Sequence, residues 1–359
     1  MRAPTPSASG TAGSDPGLSG SGGFSFPTGG GSGSTGVGGS GGRTAPPANG
    51  CPGDGSSATG PVSPPPPAMP RLPPDFRPNF DGPAVRAAVP PPPLSGGTLH
   101  VMASGTAAVL SDPDRDRVYV VDLRTGKVRA DVALSPADEP GRIAEDRMGR
   151  VHIALRRGGA LVTLDPATGM IAARRQVCPA PRGVAYEVAN DRVHVACAGG
   201  ELVSFPAAGG TAVRTLSFER DLRDVVVSGS SLLVSKFRSA EVLVIGADGV
   251  AASRVTLPSR ERARMPTFQT LSPAVAWRMQ ATAGGGAVIV HQRGVDTELA
   301  ITPGGYAGGK GCEGVVETVV TKVIPGQSPD TSPGLSLSVL PIDIALSPDG
   351  RQAAIVSAG

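Results

Sequence analysis

From about residue 98 onward the chain is written in short apolar runs, each bounded by polar turns rich in Gly, Asp and Asn. Runs of this length, dense in Val, Ile, Leu and Ala, read as buried β-strands. They recur with a period. Pro140 opens PGRIAEDRMGRVHIAL, Pro181 opens PRGVAYEVANDRVHVA and Leu222 opens LRDVVVSGSSLLVS, at equal intervals of 41 residues. In each unit a strand, a turn and a second strand are followed by a third and a fourth, as in ALVTLDPATGMIAARRQV and ELVSFPAAGGTAVRTLSF. RVYVVDLRTGKVRADVAL, at 117 to 134, supplies the same last pair for a preceding unit, and Pro341 opens PIDIALSPDGRQAAIVS.

Four short strands per ~40 to 45 residues form the blade of a β-propeller. The expected fold is therefore all-β, with about five and a half four-stranded blades over residues 98–359 and a disordered low-complexity stem at 1–97. Residues 98 to 134 read as the second, third and fourth strands of the first blade. The last unit stops after IDIALS and RQAAIVS. An unpaired strand edge invites association, so the gene product is expected to continue with at least two more strands. The unit between Pro266 and Leu340 is enlarged, with AVAWRMQ, AVIVHQRG and VVETVVTKV interrupted by the glycine-rich GGYAGGKGCEG. Long insertions on a rigid scaffold tend to carry binding function.

The wording resembles the bacterial YVTN-type propellers, relatives of the WD40 class. VYVVDLRTGKV at 118 to 128, LVTLDPATG at 161 to 169 and IALSPDGR at 344 to 351 carry the resemblance. It implies a fold rather than one activity. Some exported relatives carry a c-type cytochrome domain after the propeller, which the resemblance extends to this protein as an expectation. The chain as given has no CxxCH, so it attaches no haem covalently. No cofactor is expected within it, and haem would belong to a missing C-terminal domain.

A formal charge of +3 on 359 residues implies no polyelectrolyte partner, which argues against nucleic acid. The stem, with GSGSTGVGGSGG and SPPPPAMPRLPP, holds few apolar side chains to offset the entropy of ordering. No stretch approaches the ~18 apolar residues of a membrane span. MRAPTPSASG lacks the apolar segment of a secretory signal. Gly/Ser stems of this kind nevertheless tether exported domains. The expected location is periplasmic, cell-surface or extracellular, with a signal missing upstream of Met1; the cytoplasm is the alternative.

Cys178 follows a fourth strand and Cys197 ends the next second strand, positions on the same face of the disk. A disulfide between them is expected; Cys51 and Cys312 have no evident partner. His152 and His194 occupy equivalent places in successive blades. Packed sheets lie ~10 Å apart and zinc ligands only ~2 Å from the metal, so the pair is expected to be buried and hydrogen-bonded between blades. GSGSTG at 31 to 36 lacks the strand and helix of a dinucleotide loop. In GGYAGGK, Gly311 stands where a P-loop needs Ser or Thr. DPDRD, with Arg117 and Leu123 in place of a calcium loop's glycine and glutamate, reads as a turn.

Two groups remain as candidate sites. In the enlarged unit Trp277, Arg278, His291, Arg293 and Lys310 would form a surface for a partner or an anionic ligand. Strand starts face the central channel, placing Arg142, Arg182, Arg223, Asp224 and Asp343 at its mouth, where mixed charge either holds a ligand or stays hydrated. No nucleophile sits in a recognisable elbow. The sequence reads as a non-catalytic binding or scaffold module of a larger exported protein. The alternative is a metal-dependent lyase using His291 with channel carboxylates, since one fold hosts many functions.

Overall fold

The computed structural model describes residues 98–264, 267–297, 314–335 and 338–358. Blade one comprises β1 (Leu99–Val101), β2 (Ala107–Asp112), β3 (Arg117–Asp122) and β4 (Val128–Ala133); blade two comprises β5 (Pro140–Glu145), β6 (Val151–Leu155), β7 (Ala160–Asp165) and β8 (Met170–Gln176). Blade three is β9 (Pro181–Glu187), β10 (Arg192–Cys197), β11 (Glu201–Pro206) and β12 (Arg214–Ser217). Blade four is β13 (Leu222–Ser228), β14 (Ser231–Lys236), β15 (Val242–Ile245) and β16 (Ala251–Val255). The fifth sheet has five strands, β17 (Arg260–Arg264), β18 (Thr267–Ala281), β19 (Ala287–Val295), β20 (Val316–Val323) and β21 (Asp330–Thr331). The sixth holds β22 (Pro341–Leu346) and β23 (Ala353–Ser357). Neighbouring strands in each sheet are antiparallel and follow chain order. No helix among the described residues is long and apolar enough to cross a membrane.

The sheets stack face to face, and the core lies in the seams between them. Alternate residues of one strand serve opposite seams, as the two-residue period of a strand requires. Ile153 packs toward blade one and the adjacent Ala154 toward blade three. Val195 faces blade two and Ala196 faces blade four. The middle strands β6 and β7 are thus buried on both faces, which explains their uninterrupted apolar wording. The outer strand β8 is mostly exposed and carries MIAARRQ, a much weaker strand signal.

Two boundaries differ from the expectation. Leu99–Val101 pairs with β2, Leu99 opposite Leu110 and Val101 opposite Ala108, so residues 98 to 134 contain a first strand as well. The turn that joins them needs Gly105 in the left-handed region, at φ 67°. The enlarged unit also begins earlier than Pro266. Its added strand β17 pairs Arg260 with Leu271 and Ala263 with Phe268, against the first half of β18. RERAR is too charged to read as a strand, and tertiary pairing overrides that weak propensity.

Cys178 and Cys197 form the expected disulfide, with Cα atoms 6.5 Å apart, joining the exit of blade two to the end of β10. Closing a loop with a separation of 19 residues contributes about 3 kcal/mol. The Cys178→Ala/Cys197→Ala variant should lose about that much in urea unfolding; an unchanged midpoint would show that the bridge adds nothing. Gly183 marks the closest approach of two inner strands. A Cβ there would lie 2.6 Å from the Asp224 Cα and 2.8 Å from the Val225 nitrogen. Gly183→Ala should therefore cost about 1–3 kcal/mol by forcing β9 from β13, a change readable in the melting temperature.

Candidate functional site

Five strands share one irregularity, near the start in four of them and in the second half of the long β18. In β9, Pro181 and Gly183 oppose the consecutive residues Cys197 and Ala196, leaving Arg182 without a partner. In β13 the unpaired residue is Arg223, between Leu222 and Asp224. In β18 it is Trp277, and in β22 Ile342. In β5, Gly141 and Arg142 share the space between Pro140 and Ile143. A bulge of this kind breaks the inward and outward alternation and re-aims a side chain. The re-aimed residues Arg142, Arg182, Arg223, Trp277 and Ile342 line one cavity of about 360 Å³ at the channel mouth.

One side of this cavity is a neutralised charge network. Arg142 donates to an Asp343 oxygen at 3.2 Å and to the Trp277 carbonyl at 3.3 Å. Arg278 donates to both Asp224 oxygens, at 2.9 and 3.2 Å, and its Nε lies 3.2 Å from Asp343. Asp224 is fully buried and accepts from the backbone N–H of Met279 at 2.9 Å and of Val225 at 3.1 Å. Burial alone would raise its carboxyl; Arg278 and Arg142 outweigh it and hold Asp224 below the usual carboxylate range. Burial and the neighbouring Arg278 bring the Arg142 guanidinium down to about 10.

The other side is cationic without such compensation. Arg182 donates to two carbonyls, of Arg156 and of Pro181, each at 3.4 Å. The Arg223 guanidinium lies 4.6 Å from the Phe237 ring centroid and 5.9 Å from that of Trp277. Phe237 and Trp277 meet edge to face at 5.3 Å, and the Trp277 indole N–H donates to Gln292 at 3.4 Å. Among the described residues no carboxylate forms an ion pair with Arg182 or Arg223. Burial depresses both; Arg156 adds to it at Arg182 against Glu139, and at Arg223 the pull of Asp224 is opposed by Arg182 and Arg156.

The structure divides the residues singled out from sequence. Arg142, Arg182, Arg223 and Asp343 line the cavity, whereas Asp224 lies behind it, paired with Arg278. The expected surface of the enlarged unit is not one surface. Trp277 and Arg278 belong to the channel through β18, which strand pairing carries inward. His291 is buried in β19, bonded to Thr321 at 2.8 Å, and does not line the channel cavity where the lyase reading needs it. Arg293 is buried too, donating to the Pro258 carbonyl at 2.8 Å with Glu317 at 3.7 Å. Lys310, Cys51 and Cys312 lie outside the described residues.

His152 and His194 are buried, each hydrogen-bonded to two side chains of its own blade, with Arg175 also 3.4 Å from the His152 ring. His152 lies 3.0 Å from both Thr163 and Asp146; His194 lies 2.9 Å from Ser204 and 3.3 Å from Glu187. The partners repeat with the blades: Asp146 and Glu187, like Thr163 and Ser204, stand one repeat of 41 apart in the chain. That spacing was a signal for the networks that inspection of the histidines alone misses. Burial lowers the imidazole of His152 to about 4 and of His291 to about 3, and lowers His194 in the same direction. The metal-ligating cluster among the described residues, Cys178, Cys197 and Glu201, has both sulfurs committed to the disulfide.

Seams of stacked antiparallel sheets around a channel define an all-β propeller. No protein-family model matches the sequence, and no curated protein does. Solved structures do match in fold. Hydrazine synthase from Kuenenia stuttgartiensis aligns at TM-score 0.58 and 18% identity over 72% of each chain. Virginiamycin B lyase from Staphylococcus aureus, in a catalytically inactive form with quinupristin, aligns at TM-score 0.53 and 13% identity over 78% of this chain and 83% of that one. A chain of the mitotic checkpoint complex aligns at 0.53 and 12%, over 72% and 73%. At these identities the likeness is one of fold alone.

Proposed function

We propose that this propeller is a non-catalytic binding module of an exported protein and that its ligand site is the channel mouth. The repeated bulge carries the reading: it removes a residue from seam packing in each of five blades and gathers those residues around one cavity. The three buried histidines with shifted imidazoles are occupied in internal hydrogen bonds, which leaves the cavity with binding groups rather than an acid or base near neutrality. The Cys178–Cys197 bridge supports an oxidising compartment. The VYVVDLRTGKV and IALSPDGR wording supports a place among YVTN-type propellers.

Trp277 is the chain's single tryptophan and lines the cavity, so its emission reports occupancy. The full chain, purified oxidised, would be titrated with anions, cations and neutral sugars. A saturable change in emission that weakens in Arg142→Gln supports the channel site. Silence from every class, together with capture of a protein partner that binds Arg142→Gln unchanged, would overturn it.

A further inference from the structure

We propose that the channel mouth receives a compact organic dianion, held by the guanidinium groups of Arg156, Arg182 and Arg223. This rests on the channel mouth being the ligand site and specifies the chemistry it accepts.

The charge balance divides the cavity. Arg142 and Arg278 are matched by Asp343 and Asp224 through ion pairs at 2.9–3.2 Å. Arg156 has only Glu139, at 3.8 Å, and that carboxylate also serves Arg157 at 3.7 Å. Arg182 and Arg223 form no ion pair with a carboxylate among the described residues; Glu139 acts on Arg182 and Asp224 and Asp221 on Arg223 only at longer range, so positive charge is in excess on this side. All three are half-buried on adjacent blades and line the same cavity. Like charges gathered in a partly desolvated cup are held there at a cost that a bound anion would offset.

The geometry presents these groups for use. Gly141 makes room for Arg156, since a Cβ there would lie 2.9 Å from its Cγ. The Arg223 guanidinium carbon lies over the Phe237 ring, 4.6 Å from its centroid, a cation–π contact that holds the group at the cavity. A planar guanidinium fork matches two oxygens of a carboxylate or phosphate. Apart from Thr98, Gly141 and the Arg142–Asp343 ion pair, the rest of the wall is apolar, with Leu99, Ile342, Val356 and the Trp277 ring. A volume of about 360 Å³ lies at the lower end of small-ligand pockets. The occupant is therefore a small molecule with a dianionic head and an apolar body. A phosphate monoester and a dicarboxylate share this chemistry.

The test uses the oxidised full chain and four probes: phenyl phosphate, phthalate, the monoanion benzoate and the neutral benzamide. Either dianion should quench Trp277 saturably and bind at least ten-fold more tightly than benzoate, with benzamide silent; which dianion binds more tightly identifies the head group. Affinity should fall about ten-fold or more in Arg182→Gln and in Arg223→Gln. The conservative Arg182→Lys and Arg223→Lys guard against a folding defect: each keeps the charge, and each should still lose several-fold because the fork is gone. Equal affinity for benzoate and phthalate, or dianion binding unchanged in both glutamine variants, would overturn the proposal. Saturable binding of benzamide with both dianions silent would also overturn it, yet leave the channel mouth as the ligand site.

Discussion

Lowering the pH from 7 to 4 should remove several kcal/mol of stability, and most of the loss should begin above the range in which ordinary carboxylates titrate. The sign follows from the imidazoles. An unfolded histidine titrates near 6.5, whereas burial holds His152 near 4 and His291 near 3 in the fold. Between these values the unfolded chain binds more protons, so stability is full above pH ~6.5 and falls as the pH drops. His152 alone accounts for about 3 kcal/mol by pH 4, and the shift of His291 extends the loss lower. His194 acts in the same direction. Urea unfolding at intervals between pH 7 and 4 measures this. The Thr163 and Asp146 contacts compensate the neutral ring, so His152→Gln should flatten part of the slope while costing stability at pH 7. A wild-type midpoint that stays level from pH 6.5 to 4.5 would contradict neutral buried histidines.

Asp224→Ala should destabilise the propeller by about 3–5 kcal/mol, the usual consequence of stranding one charge of a buried pair. Arg278 would lose its bidentate partner, and the N–H groups of Met279 and Val225 would lose their acceptor. Asp343 would remain, but it must also serve Arg142. The double variant Asp224→Ala/Arg278→Met removes both charges and should recover a substantial part of the loss. Thermal melts of wild type, single and double variants make the comparison. A single variant that melts with the wild type would show that the pair is not a structural tie.

Much of the fold was legible because seams on both faces demand continuous apolar strands. VHIAL and RVHVAC could serve no exposed surface, and the 41-residue spacing of the units that hold them gave the blades. Outer and added strands were harder: RERAR and LHV owe their conformation to partners far off in the chain or to a short turn. Of the site, strand starts were readable as channel-facing, which brought Arg142, Arg182, Arg223 and Asp343 together. Asp224 differs from Arg223 by one residue yet points into the sheet stack, because the bulge falls on Arg223. Nothing in LRD reveals which residue a bulge will free. Trp277 and Arg278 looked like parts of an insertion because register is set by β19, across the sheet, and not by their neighbours.

The contact between Arg142 and Asp343 joins blade two to blade six across the channel. In a linear array of repeats each unit holds only to its neighbours, so the ends open first and the middle survives. A tie that skips three blades changes that hierarchy: loosening the last hairpin is felt at β5 without passing through the seams between. The consequence is a direct coupling between the opening of β22 and that of β5. Amide exchange should then accelerate together in β5 and β22 when Asp343 is replaced by asparagine.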